Sequence, residues 1–96
     1  MNKIRFGLIG CGGMMKNHAR GIQLVEGLEI TAVCDAVLER AENVASILNH
    51  PYVTTDYKSM VDYVDAVLVV LPHDLHYECG VFFARHQKHV LMEKPL

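Results

Sequence analysis

Short apolar runs of strand length alternate along the chain with segments whose apolar residues recur at the spacing of a helix face. The apolar runs predict five strands, over residues 4–9, 29–34, 52–54, 64–71 and 89–92. The segments between them predict helices over residues 14–25, 37–48 and 56–61, and a fourth helix from about residue 74 that carries Leu75, Cys79, Phe82 and Phe83. The run at residues 66–71 is the most apolar, which suits a strand that is covered on both faces.

Polar and small residues mark the predicted helix ends. Asp35, Asp56 and Asp74 precede the second, third and fourth helices, where an aspartate side chain can accept backbone N–H bonds. Gly27 and Pro51 follow the first and second helices and favour their termination there.

Strands that alternate with helices through short connections predict an α/β fold: a doubly wound, Rossmann-like parallel sheet with helices on both faces. The expected strand order is 3-2-1-4-5. The ligand crevice is expected between the first and fourth strands, where this order reverses. With 96 residues the chain holds one domain.

Composition excludes several classes of function. A net charge of −2 argues against nucleic-acid binding, because that affinity comes from Lys and Arg that neutralise phosphates. No apolar run approaches the ~20 residues that span a bilayer, and the run before the first glycines is too short for a signal peptide. Cys11, Cys34 and Cys79 form no C-x-x-C pair, and we interpret them as reduced thiols. We therefore expect a cytoplasmic protein that binds neither a membrane nor a nucleic acid.

The six histidines do not form a metal motif. His73 and His76 are the closest pair, whereas a strong site needs three or four ligands at defined spacing. We therefore predict no metal site.

The segment GCGGMM, residues 10–15, follows the first predicted strand and opens the first predicted helix. Gly10 permits a tight turn, and Gly12, without a Cβ, lets the backbone approach a pyrophosphate closely. The helix that begins near Gly13 directs free N–H groups and its positive dipole end at the phosphates. Met15 stands where the dinucleotide fingerprint has Gly or Ala, which predicts wider spacing between helix and strand. We predict a dinucleotide-binding loop, with a glycine-rich turn that binds no ligand as the alternative.

Asp35 ends the second strand, 20 positions after Met15. Its carboxylate can accept hydrogen bonds from both hydroxyls of an adenosine ribose, and it would repel a 2′-phosphate. Ala36 and Val37 follow it, so no arginine stands beside it to hold such a phosphate. We predict NAD rather than NADP as the cofactor. Capping of the second helix is an alternative and compatible role for Asp35.

Two further motifs follow the fourth and fifth strands: LPHDLHYE at residues 71–78 and EKP at residues 93–95. Together with the glycine segment and His18 they resemble the Gfo/Idh/MocA family, which includes glucose–fructose oxidoreductase and inositol dehydrogenase. Members of that family typically read TPNxxH and EKP at these places. The resemblance spans all 96 residues, with the motifs in the family's order.

The resemblance implies an NAD(P)-dependent dehydrogenase that acts on a sugar, cyclitol or related polyol by hydride transfer. It implies that Lys94 is the active-site lysine, which would orient a substrate hydroxyl and hold the charge that develops on its oxygen. It implies cofactor contacts from Gly10, Gly12, Gly13, Met14, Met15, Asp35, Pro72, His73, His76 and Glu93.

The chain departs from the family pattern in three ways. His73 replaces the usual Asn, which changes the expected amide contact with the cofactor. Gln87 replaces the glycine that commonly ends the fourth helix. The sequence also stops after EKP, before the family's sixth strand and its second, substrate-binding domain.

From this early end we expect residues 1–96 to form an incomplete Rossmann domain that holds a dinucleotide without completing a catalytic site. The uncovered fifth strand predicts self-association into a homo-oligomer. A non-catalytic dinucleotide-binding or self-associating module is the alternative function.

Overall fold

The computed structural model describes residues 3–92, apart from the side chain of His73. Its strands are β1 (Ile4–Ile9), β2 (Leu28–Cys34), β3 (Tyr52–Thr54), β4 (Ala66–Val69) and β5 (His89–Met92). The elements between them are α1 (Met15–Gln23), α2 (Leu38–Ala45), a 3₁₀ helix (Tyr57–Tyr63) and α3 (His73–Arg85). The strands form one sheet in the order β3-β2-β1-β4-β5, and every ladder is parallel. The predicted α/β fold and strand order are confirmed.

Helices cover both faces of the sheet. On one face, α1 and α2 pack over a core that includes Leu8 of β1 and Val33 of β2. On the other face, the 3₁₀ helix and α3 pack over Ile9 and Val67. The neighbouring residues Leu8 and Ile9 are 0% and 1% exposed, which is why β1 reads as a continuous apolar run and not as an alternating one.

The register aligns the carboxyl ends of all five strands. Ile9 pairs with Cys34 and with Val69, Cys34 pairs with Thr54, and Val69 pairs with Met92. The segments that follow these residues therefore emerge along one edge of the sheet, where open α/β sheets bind ligands.

The predicted cap at Asp56 is confirmed. Its side chain accepts a hydrogen bond from the N–H of Lys58 at 3.0 Å, at the start of the 3₁₀ helix. That helix continues to Tyr63, two residues beyond the predicted end.

The predicted caps at Asp74 and Asp35 are wrong. The first turn of α3 begins at His73, so Asp74 lies inside the helix, and Pro72 precedes it. Proline suits this position because its φ is fixed and it has no N–H to leave unpaired. For α2 the N-cap residue is Val37, without a side-chain cap, because the Asp35 carboxylate accepts the Val37 N–H from outside the helix.

The end of α1 also differs from the prediction. The helix stops at Gln23, two residues before the predicted end at residue 25. Leu24 and Val25 donate to Gly21 and Ile22, three residues back, so the last turn tightens into 3₁₀ geometry.

The carboxyl end of α3 is a Schellman motif with glutamine at the left-handed position. Gln87 has φ of +60°. Its N–H bonds the carbonyl of Ala84 at 3.0 Å, and the N–H of Lys88 bonds the carbonyl of Phe83 at 2.9 Å. This pair of bonds ends helices where glycine usually stands, so the helix stops without a glycine, as predicted.

Replacement of Gln87 by glycine is expected to stabilise the chain by about 1 kcal/mol, because an L-residue pays about that much in the left-handed region. Gln87→Ala is the matched control, because it removes the rest of the side chain but keeps a Cβ and therefore the free-energy cost of the left-handed conformation. Urea denaturation measures both. A Gln87→Gly chain no more stable than Gln87→Ala would contradict this explanation.

The far edge of the sheet is formed by β5, which pairs with β4 alone among the described strands. Leu91 and Met92 are 56% and 47% exposed. The predicted self-association along this edge stays a prediction. No helix within residues 3–92 is long and apolar enough to cross a bilayer.

Candidate functional site

The turn after β1 depends on Gly10. Its φ is +91°, and its N–H donates to the carbonyl of Cys34 at 2.9 Å. On the other side, the N–H of Val70 donates to the carbonyl of Ile9 at 2.9 Å. A Cβ at Gly10 would overlap the carbonyl oxygen of Val70. The fold itself therefore requires glycine at this position.

Gly12 and Gly13 differ from Gly10, because nothing lies within 4 Å of a Cβ built on either residue. Neither has a positive φ. The N–H groups of Gly12, Gly13 and Met14 bond no acceptor within residues 3–92. The carbonyl of Gly12 accepts the N–H of Met15 at 2.9 Å, which leads into α1. We call residues 10–14 the glycine loop; it offers three free donors at a helix N-terminus beside open space, an arrangement that binds phosphate oxygens.

Met15, the departure from the fingerprint, has a buried side chain that is 2% exposed. It packs in the core with Leu8 and Ala19, so it fills space between α1 and the sheet.

Asp35 connects the end of β2 to the glycine loop. Its Oδ2 accepts the N–H of Cys11 at 2.7 Å, and its Oδ1 accepts the N–H of Val37 at 2.8 Å. The residue is 8% exposed, the one buried charged side chain among the described residues. A carboxylate thus lies directly beside the loop and accepts two backbone N–H groups, and its predicted contact with a ribose stays a prediction.

The thiol of Cys11 lies beneath the loop and donates to the carbonyl of Cys34 at 3.3 Å. Burial, and next the charge of Asp35, raise the pKa of Cys11 to about 12. Burial likewise raises the pKa of Cys34 and of Cys79 to about 12. All three are free thiols that stay protonated at neutral pH, which makes them unreactive packing groups and not nucleophiles.

The predicted residues after β4 lie at the same edge of the sheet. Pro72 is exposed and precedes α3. His76, on the first turn of α3, is half-buried, and its Nε2 lies 3.2 Å from the carbonyl oxygen of Val69, the last residue of β4. His73 begins α3, and its side chain is outside the described part. Glu93 and Lys94 also fall outside residues 3–92.

A groove of about 600 Å³ runs along the start of α2, next to Asp35 in sequence, and is lined by Val37, Glu39, Arg40, Glu42 and Asn43. No cation stands immediately beside Asp35 in the sequence, and Arg40, five positions after it, was not among the predicted site residues. Glu39 and Glu42, which also line the groove, were not among the predicted site residues either. Helical spacing could have indicated two subsets of this lining, Val37 with Arg40 and Glu39 with Glu42 and Asn43, because residues three and four apart share a helix face. Among residues 3–92 no group of three or more His, Cys, Asp or Glu is placed to hold a metal ion.

Comparisons with known proteins show which family the chain resembles. A family model described as an oxidoreductase family with an NAD-binding Rossmann fold, GFO_IDH_MocA, matches residues 4–96. The NADP(+) scyllo-inositol 2-dehydrogenase IolU of Bacillus subtilis is 36% identical over 94 residues, which is 96% of this chain and 29% of that protein. The inositol 2-dehydrogenase of Rhizobium meliloti is 33% identical over 93 residues, covering 97% of this chain and 28% of the relative.

A solved structure has the same arrangement of the chain. It is the scyllo-inositol dehydrogenase of Lactobacillus casei with bound NAD(H) and scyllo-inositol, which superimposes with a TM-score of 0.85 at 26% identity. The match covers 95% of this chain and 28% of that one. The chain thus spans less than a third of the length of these relatives.

Proposed function

The chain belongs to the Gfo/Idh/MocA family of oxidoreductases, and on this premise we propose that it is the dinucleotide-binding part of an NAD(P)-dependent dehydrogenase. The observation that carries the proposal is the set of free N–H groups at Gly12, Gly13 and Met14 beside space that no side chain fills. Those donors suit the oxygens of a pyrophosphate, and the N-terminus of α1 adds its positive dipole end.

We propose NAD as the preferred cofactor. The Asp35 carboxylate lies at the loop, and the groove that follows along α2 carries Glu39 and Glu42 around the single cation of Arg40. A 2′-phosphate placed there would meet more negative than positive charge. One relative is named as NADP(+)-dependent, so this assignment rests on the charges of this chain.

The proposed activity of the whole protein is hydride transfer between the nicotinamide ring, which supplies or accepts the hydride when bound, and a sugar, cyclitol or related polyol. The names of the inositol dehydrogenase relatives support this substrate class. We assign Lys94 to the substrate oxygen, where an ammonium group orients a hydroxyl and stabilises developing negative charge. Pro72, His73, His76 and Glu93 are assigned to the nicotinamide side of the cofactor.

Three free thiols and a diffusible dinucleotide fit a reducing compartment, and we place the protein in the cytoplasm. Its partners in this proposal are a dinucleotide and a small polyol or sugar, with assembly into a homo-oligomer.

Calorimetric titration of the chain with NADH and with NADPH tests the proposed function. We expect both dinucleotides to bind and NADH to bind at least about tenfold more tightly, a difference of about 1.4 kcal/mol. Tighter binding of NADPH would contradict the NAD preference. Binding of neither dinucleotide would contradict the proposed function.

A further inference from the structure

The carboxylate of Asp35 is engaged by the protein before any ligand arrives. Both of its oxygens accept backbone N–H groups, from Cys11 at 2.7 Å and from Val37 at 2.8 Å. Each carboxylate oxygen can accept a further hydrogen bond, so a ribose hydroxyl could still bind, but the side chain is already tied to the glycine loop. Asp35 is 8% exposed, and its nearest contact is inside the glycine loop.

The hydrogen bond between Cys11 and Asp35 affects the direction in which the free N–H groups of the glycine loop point. The loop leaves β1 at Gly10, whose N–H is fixed to Cys34, and the next N–H, that of Cys11, is fixed to Asp35. Planar peptide units anchored at Gly10 and Cys11 fix where the chain enters Cys11, and the buried Cys11 side chain, whose Sγ donates to the carbonyl of Cys34, fixes the Cα–Cβ direction. Rotation about ψ of Cys11 is then the main freedom left to the following unit, which carries the free N–H of Gly12.

We propose that Asp35 is a positioning residue for the glycine loop, in addition to any contact with the ribose: its carboxylate holds Cys11 so that the next three N–H groups converge on a pyrophosphate. The inference rests on the proposed function. Removing the Asp35 carboxylate should then weaken both dinucleotides, although it removes the charge that opposes a 2′-phosphate.

Two variants of Asp35 separate the two roles. Asp35→Ala removes both acceptors. Asp35→Asn keeps the shape of the side chain and removes its charge, but its NH₂ group cannot accept an N–H. If Asp35 acted on the ribose alone, both variants would bind NADPH more tightly than the wild type does.

Asp65→Ala is the matched control. The Asp65 carboxylate also accepts a backbone N–H, that of Arg5 at 2.8 Å, and it pairs with the Arg5 side chain at 3.0 Å. It directly precedes β4 and so lies at the amino ends of the strands, whereas the glycine loop lies at their carboxyl ends. Its loss should lower stability without changing the glycine loop.

The experiment combines amide hydrogen exchange of Cys11 in the ligand-free chain with titrations of NADH and NADPH. In Asp35→Ala we expect Cys11 exchange to accelerate at least about tenfold and both affinities to fall at least about tenfold. Asp35→Asn should show smaller changes in the same direction. If Asp35→Ala does not fold, the same measurements are made on Asp35→Asn. Asp65→Ala should keep both affinities and the slow Cys11 exchange.

Unchanged Cys11 exchange, or tighter NADPH binding in Asp35→Asn than in the wild type, would overturn the positioning role while the proposed function stands. A wild-type chain that binds neither dinucleotide would overturn the proposed function, and the positioning role with it.

Discussion

Replacement of Gly10 by alanine is expected to destabilise the chain by about 3 kcal/mol or more, because strained backbone and forced overlap each cost about 1–3 kcal/mol. The φ of +91° is one that alanine rarely adopts, and the new Cβ would overlap the carbonyl oxygen of Val70. The loop cannot move away easily, since the Gly10 N–H is held by Cys34 and the Ile9 carbonyl by Val70. A chain of 96 residues has about 5–14 kcal/mol to lose, so this change approaches complete unfolding.

Urea denaturation of Gly10→Ala and Gly12→Ala measures this effect with a control two residues away in the same loop. Gly12 has no positive φ and open space around its Cβ position, so its variant should lie within about 0.5 kcal/mol of the wild type. Equal stability of the Gly10→Ala chain and the wild type would refute the turn geometry described for this loop.

The second large effect is on binding, at Gly12. Gly12→Ala is expected to weaken NADH binding at least about tenfold, because a hydrogen bond to a charged group contributes about 1.5–3 kcal/mol and a methyl group would hold the pyrophosphate away from the loop. The chain should remain folded. Loss of affinity without loss of stability is the result that separates a binding glycine from a structural one.

Gly21→Ala is the matched control for this binding experiment. Gly21 lies inside α1 at an exposed position, and nothing lies within 4 Å of a Cβ built there. Alanine should stabilise the helix by about 0.5–1 kcal/mol and leave the affinity unchanged. Calorimetric titration of the two variants gives the comparison, and a Gly12→Ala chain that binds NADH as tightly as the wild type would show that the pyrophosphate lies elsewhere.

The strands and their order could be predicted because burial on both faces leaves a simple pattern. The run at Ala66–Val69 is buried at every position, and alternation with helices then restricts the topology to a few choices. The helix ends could not be predicted as well, because they depend on local competition. Pro72 sets the start of α3 ahead of Asp74, and bonds to Gly21 and Ile22 close α1 before Gly27.

The site was predictable where a single residue type carries the requirement, as at Gly10, where a φ of +91° and the carbonyl of Val70 leave no room for a Cβ. It was not predictable where two distant segments meet. The bond between Cys11 and Asp35 joins residues 24 positions apart, and it depends on the register of β1 against β2. The groove that Glu39, Arg40 and Glu42 line along α2 likewise becomes visible only in the folded chain.

The most direct test of the account follows the backbone amide resonances of Gly12, Gly13 and Met14 while NADH is added to the labelled chain. Because these three N–H groups bond no acceptor within residues 3–92, we predict that their resonances shift most, and that inorganic pyrophosphate added alone shifts them in the same direction. Saturable NADH binding that leaves these three amides unmoved would contradict the claim that the glycine loop holds the pyrophosphate.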